Sequence, residues 1–127
     1  MAVRKINADD GAEVLGAYVQ ALEVTQTTRR LYISGQAPTT VNGIVPETFK
    51  EQAETVWRNI LAQLNAADMS AEHLVKATTF LSDRKYRDEN REVRQAMLDG
   101  HTFALTVVQA GMFEEGWLLE IDAIAEA

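Results

Sequence analysis

The chain has 127 residues, 46% of them apolar, which is the length and composition of one domain around one core. It contains no cysteine, which excludes disulfides, thiol nucleophiles and cysteine-ligated metal and fits a reducing compartment. Nineteen acidic against twelve basic residues give a net charge of −7, which disfavours long contacts with nucleic-acid phosphates. No charged segment leads into an apolar run, and no apolar run approaches the roughly 18 residues of a membrane span. Neither a signal peptide nor a spanning helix is expected, and the cytoplasm is the simplest location.

In chain order, residues 18–24 alternate Tyr18, Gln20, Leu22 and Val24 against Val19, Ala21 and Glu23, and the run Leu31-Tyr32-Ile33-Ser34 follows the polar turn 25–30. This pattern predicts a β-hairpin. From Pro46 the period becomes helical: Phe49, Ala53, Val56, Trp57, Ile60, Leu61 and Leu64 recur at spacings of three and four, predicting a helix of about five turns. After the break at 66–70, residues 74–81 are short and rich in Val and Thr, as a strand requires. Tyr86, Asn90, Val93 and Met97 share one face of a second, shorter helix. Strands over 103–109 and 117–125, joined through Gly111 and Gly116, complete a domain spanning 1–127.

This order predicts an α+β fold with two helices on one face of a mixed sheet. Ile33, Val75, Thr79, Val107 and Leu119 are then expected on the uncovered face. A homo-oligomer closing over that face would bury them.

Among candidates for chemistry, Glu120 lies between Leu119 and Ile121, and alternation puts it on the same face as Leu118, Asp122 and Ile124. A carboxylate there is either partly buried or at a subunit seam. Partial burial would suit it to accept and return protons, and a purely structural hydrogen-bond acceptor is the alternative. Tyr18 and Ser34 offer hydroxyls, and Gly35, lacking a Cβ, lets a ligand approach the backbone closely. Asn90 on an apolar helix face is expected to bond loop backbone. His73 and His101 are isolated from other ligand-type residues, so no metal is expected. No Ser-His-Asp order or phosphate-cradling glycine loop occurs.

The segments 16–21 (GAYVQA), 31–38 (LYISGQAP) and 119–125 (LEIDAIA), with 52–64, 74–81 and Asn90 between them in the same order, resemble the RidA/YjgF family, also labelled L-PSP endoribonucleases. The resemblance covers nearly the whole chain. It implies a chorismate-mutase-like fold assembled as a homotrimer, with small-molecule clefts between neighbouring subunits. In active members those clefts hydrolyse reactive imines and enamines without metal or organic cofactor. An arginine holds the substrate carboxylate, and a glutamate near the C-terminus positions the attacking water.

Two departures bear on activity. Where the family usually has Pro-Ala-Arg, this chain has Phe103-Ala104-Leu105, and Ala17 stands where a proline commonly precedes the tyrosine. Leaving a carboxylate unpaired in a desolvated cleft costs about 3–5 kcal/mol. Ordinary 2-imino acids are therefore expected to be poor substrates. Arg29, Arg91 or Arg94 could supply a guanidinium from elsewhere, although their turn and helix positions give no reason to aim at the cleft. Phe103, Leu105 and Trp117 are candidates either to line an apolar pocket for a neutral or aromatic molecule or to pack in the core or an interface.

The expected site comprises Glu120 as the catalytic residue, with Tyr18, Ser34, Gly35, Leu105 and Thr106 around the ligand and no cofactor. Whether it turns a substrate over or only binds a metabolite or partner stays open. The endoribonuclease activity of the family label is the least favoured reading, given the charge.

Overall fold

The computed structural model describes residues 1–127 as strands β1 (Ala2–Ile6), β2 (Ala21–Thr25) and β3 (Arg30–Gln36), helix α1 (Phe49–Ala66), strand β4 (Leu74–Leu81), helix α2 (Arg87–Met97), and strands β5 (Ala104–Gln109) and β6 (Leu119–Glu126). Thr48 starts α1, its hydroxyl accepting the Glu51 N–H at 3.2 Å and so satisfying one of the free donors of the first turn. At the far end Asp68 adopts φ 57°, and Arg29 donates to the carbonyls of Ala67 (2.7 Å) and Asp68 (3.4 Å). Arg29 thus works as a cap just beyond α1. The predicted stripe is the buried face: Phe49, Ala53, Val56, Trp57, Ile60 and Leu64 are all in the core, with Leu61 half-buried at its margin.

Four strands form a mixed sheet in the order β3-β6-β4-β5, with β4 and β5 parallel and the other pairs antiparallel. Both helices pack on one face. Leu119, Ile121, Ala123 and Ala125 of β6 point into that core with Ala77 and Leu81 of β4. Their cross-strand partners share the same side, so Leu105 and Val107, opposite Ala77 and Thr79, belong to the helix face. Lys76, Thr78, Phe80, Thr106, Glu120, Asp122 and Ile124 alternate onto the other face.

The expected hairpin does not form. Strand β2 pairs with β1, the two making a separate ribbon, whereas β3 pairs with β6. Period-two alternation identifies a strand but carries no information about its partner. The intervening turn is pulled to the end of β6, where the N–H groups of Thr28 and Arg29 both donate to the Ala127 carbonyl and the Ala127 N–H donates to Arg29. The ribbon instead reaches the open face of the sheet. The Val19 N–H donates to Phe103 beside the start of β5, the Lys5 ammonium donates to Thr102, and Leu22 and Val24 share a hollow with Tyr32, Lys76, Ala104 and Ile124.

The residues expected on the uncovered face are also redistributed. Ile33, Thr79 and Leu119 lie in the core under the helices, Val75 is buried, and only Val107, 42% accessible, is exposed. Ile33, Thr79, Val107 and Leu119 lie on the helix side of the pleat, whereas Val75 is on the expected face, in the hollow covered by the β1–β2 ribbon. Other apolar groups are left uncovered, among them Val41, Leu15 and Ile44 in the loops and Tyr32, Val108 and Phe113 on or beside the sheet.

One buried polar side chain ties α1 to β6. Gln52 donates from Nε2 to the carbonyls of Pro46 and Gly116, each at 2.8 Å, and its Oε1 accepts the Leu118 N–H at 2.8 Å. Every donor and acceptor of that amide which faces protein is used, and the clasp fixes the chain just ahead of Glu120. No helix is long and apolar enough to cross a membrane.

Candidate functional site

Strand β3 carries one extra residue between the pairs Ile33–Ala123 and Gln36–Ile121, so Ser34 and Gly35 form a bulge on an edge strand of the sheet. Ser34 contributes its carbonyl to the Gln36 amide at 3.0 Å, leaving its hydroxyl free. The Glu120 carboxylate lies directly over Gly35. A Cβ built at Gly35 would collide with Glu120 Oε1 and come within 3.0 Å of its Cδ, so any side chain here would displace the carboxylate from its present position. Phe80, Gly111, Met112 and Phe113 complete a shallow hollow around this carboxylate, which has no hydrogen-bond or ion-pair partner within the chain.

Thr106 shares the open face with Glu120, and its hydroxyl accepts a hydrogen bond from the Lys76 ammonium at 2.7 Å. Lys76 was not among the residues expected from sequence. A lysine in a strand reads as a solvated position, and only the pairing register brings it beside Thr106.

Tyr18 and Leu105 are elsewhere. They line a cavity of about 480 Å³ on the helix side of the sheet, between α2, the free edge of β5 and the segment 15–20. Its other walls include Arg84, Arg87, Arg91, Arg94 and Asn90, and no carboxylate lines it. Of the three residues expected either to line an apolar pocket or to pack in the core, Phe103 is buried in the core, stacked on His101 at 5.2 Å between ring centroids, and Trp117 lies in the turn before β6. Only Leu105 of that trio reaches the cavity.

Asn90 also departs from expectation. It is 2% accessible yet makes no bond to loop backbone; its amide faces the cavity. The two histidines have local roles. His73 Nδ1 accepts the Ser70 N–H at 2.9 Å, and His101 Nε2 lies 2.9 Å from the Leu74 carbonyl.

A single chain therefore places the expected residues in two groups on opposite faces of the sheet. Glu120, Ser34, Gly35 and Thr106 are on the open face, with a proton acceptor and close backbone access. Tyr18 and Leu105 are on the helix face, beside a cationic cavity.

Comparison with known proteins places this geometry in context. The family described as Endoribonuclease L-PSP matches residues 10–127. Protein DfrA of Myxococcus xanthus is 32% identical over 127 residues, covering 98% of this chain and 96% of that protein. The 2-iminobutanoate/2-iminopropanoate deaminase of Mus musculus is 29% identical over 126 residues, covering 97% and 91%. Among solved structures, a protein of the conserved Rid family, YyfB from Yersinia pestis, superposes with a TM-score of 0.85 at 22% identity over the whole of both chains, a likeness of fold.

Proposed function

Because the chain belongs to the L-PSP endoribonuclease (RidA/YjgF) family, whose relatives include an imine deaminase, we propose that it binds or hydrolyses a small metabolite of the imine or enamine type, distinct from the ordinary 2-imino acids. The observation that carries this reading is the free Glu120 carboxylate held over Gly35, and the family resemblance implies that Leu105 stands where active members have their arginine. In the proposed reaction Glu120 takes a proton from water as the oxygen adds to the C=N carbon. It gives that proton to the nitrogen, forming a carbinolamine, then takes the carbinolamine hydroxyl proton and passes it to the same nitrogen as the carbon–nitrogen bond breaks, leaving a carbonyl compound and ammonia.

The site is proposed to form between subunits of a homotrimer. Two half-sites on opposite faces of one sheet cannot meet on a single small molecule within one chain, but one subunit's open face can close over its neighbour's cavity. The uncovered Tyr32, Val108 and Phe113 supply apolar surface for such a contact. The endoribonuclease activity named in the family description finds less support, since the net charge is −7 and the clustered arginines face a small cavity with no extended track for a phosphate backbone.

The test is ammonia release from freshly generated imines, one set carrying a carboxylate and one neutral, with wild type and Leu105→Arg. Wild type is expected to be weak on simple 2-imino acids, and the arginine variant to gain at least about tenfold on them. If neither protein turns over any imine, the hydrolytic reading fails and a non-catalytic metabolite-binding role takes its place.

A further inference from the structure

Arg84, Arg87, Arg91 and Arg94 are spaced by three, four and three residues, the repeat that stacks side chains along one helical face. In the structure all four border the cavity between α2 and β5. Only Arg91 has a carboxylate partner, Asp88 at 3.4 Å. Arg94 is unlike the others, being 5% accessible with a guanidinium that makes no hydrogen bond or ion pair within the chain.

Asn90, one turn earlier, is equally buried and makes no bond within the chain, and the polar atoms of both side chains open onto the same cavity and are not sealed in the core, where only Trp57 Nε1 is enclosed without a partner. Buried polar groups are nearly always hydrogen-bonded, and a buried cation without an anion is costly. Two such groups at adjacent turns, facing a common cavity, mark a site whose partner is absent from the chain itself. Burial and the like charge of Arg91 both push the Arg94 guanidinium below its ordinary value, a penalty that a bound anion would relieve.

The remaining wall favours the same occupant. Leu81, Leu105 and Val107 keep one side apolar, which strengthens any charge-assisted bond formed opposite, and the volume suits a small molecule. Several guanidinium groups with no lining carboxylate favour a ligand bearing more than one negative charge.

We propose that this cavity binds a small dicarboxylate, with Arg94 supplying from helix α2 the guanidinium that strand β5 lacks at Leu105 and Asn90 supplying a second polar contact. The inference deepens the proposed function by giving its ligand a chemical class, and it rests on that reading only for whatever chemistry follows binding. A carboxylate held from the helix wall lies across the cavity from one held at position 105. That difference in position fits a metabolite other than an ordinary 2-imino acid.

Calorimetric titration of the full chain with glutarate and with butyrate provides the test, alongside the melting temperature of each variant. Wild type is expected to bind glutarate at least about tenfold more tightly than butyrate, and Arg94→Gln to lose at least about tenfold in glutarate affinity. Removing an unpaired buried cation should leave the ligand-free melting temperature of Arg94→Gln unchanged or higher, whereas a purely structural arginine would lower it. Arg87 is exposed, so Arg87→Gln provides a second variant that keeps the fold, with an expected severalfold loss.

Absence of glutarate binding to wild type, equal affinity for butyrate, or unchanged affinity in both variants would each overturn the proposal. Should Arg94→Gln fail to fold, Arg87→Gln decides alone. Glutarate binding without imine hydrolysis would sink the deaminase reading and leave this site standing; imine hydrolysis by a wild type that does not bind glutarate would do the reverse.

Discussion

Replacing Glu120 by glutamine is expected to lower imine hydrolysis by about 10²- to 10⁴-fold, the range a positioned proton acceptor contributes, with little change in thermal stability. The side chain is half-buried, points away from the core and has no partner within the chain, so its amide isostere breaks no internal bond. Gly35→Ala should reproduce part of this loss without touching the carboxylate chemically. The new methyl would meet Oε1, the far end of a flexible side chain, so Glu120 can swing aside and the fold loses little. A displacement of about 1 Å is enough to cost about 10²-fold in rate. The informative result is the pair of readouts from the alanine variant: turnover falling while the melting temperature holds. A melting temperature that falls in step with turnover would instead make Gly35 a purely structural position.

Gln52→Leu is expected to destabilise the fold by about 2–4 kcal/mol, measured by urea denaturation. The leucine fills the space but strands the Leu118 N–H and the Pro46 and Gly116 carbonyls, all of which meet a buried amide at 2.8 Å in the native chain. Gln52 is buried, so its replacement leaves the three groups without their protein partner, although the exposed Gly116 carbonyl can turn to water. Because the clasp sits two residues before Glu120, the same variant should also blunt catalysis under conditions where it remains folded. Unchanged stability in Gln52→Leu would show that the loop finds other donors and acceptors.

The elements whose side chains repeat with a long apolar period were legible in the sequence. The α1 stripe from Phe49 to Leu64, the bounds of β4 and the Asn90–Val93 face of α2 all appear where the spacing puts them, because each is set by local periodicity and burial. Pairing was less legible. Strand β1 is short and solvated, with Val3 and Ile6 as its only large apolar residues, so its union with β2 had no local signal. The bulge at Ser34-Gly35 joins positions far apart in the chain, and the contact of Gly35 with Glu120 follows from register alone.

The arginine row was legible in principle. Its spacing of three, four and three is the same helical signature used for the apolar residues, carried by charge. A cationic stripe on a short helix usually faces water, and only burial of Arg94 and Asn90 distinguishes this one. The site divides in the same way. Glu120, Ser34, Gly35 and Thr106 were expected together and share one face, whereas Tyr18 and Leu105, expected with them, are across the sheet.

The close approach of Gly35 to Glu120 also makes the two positions a single unit of inheritance. A descendant chain that gives up the long carboxylate at 120 is released from the demand for a bare backbone at 35 and can accumulate side chains there at little cost. One that keeps the carboxylate cannot. Across related sequences, the residue opposite the carboxylate should therefore record whether that acid is still under selection, independently of what has become of the arginine on the other side of the sheet.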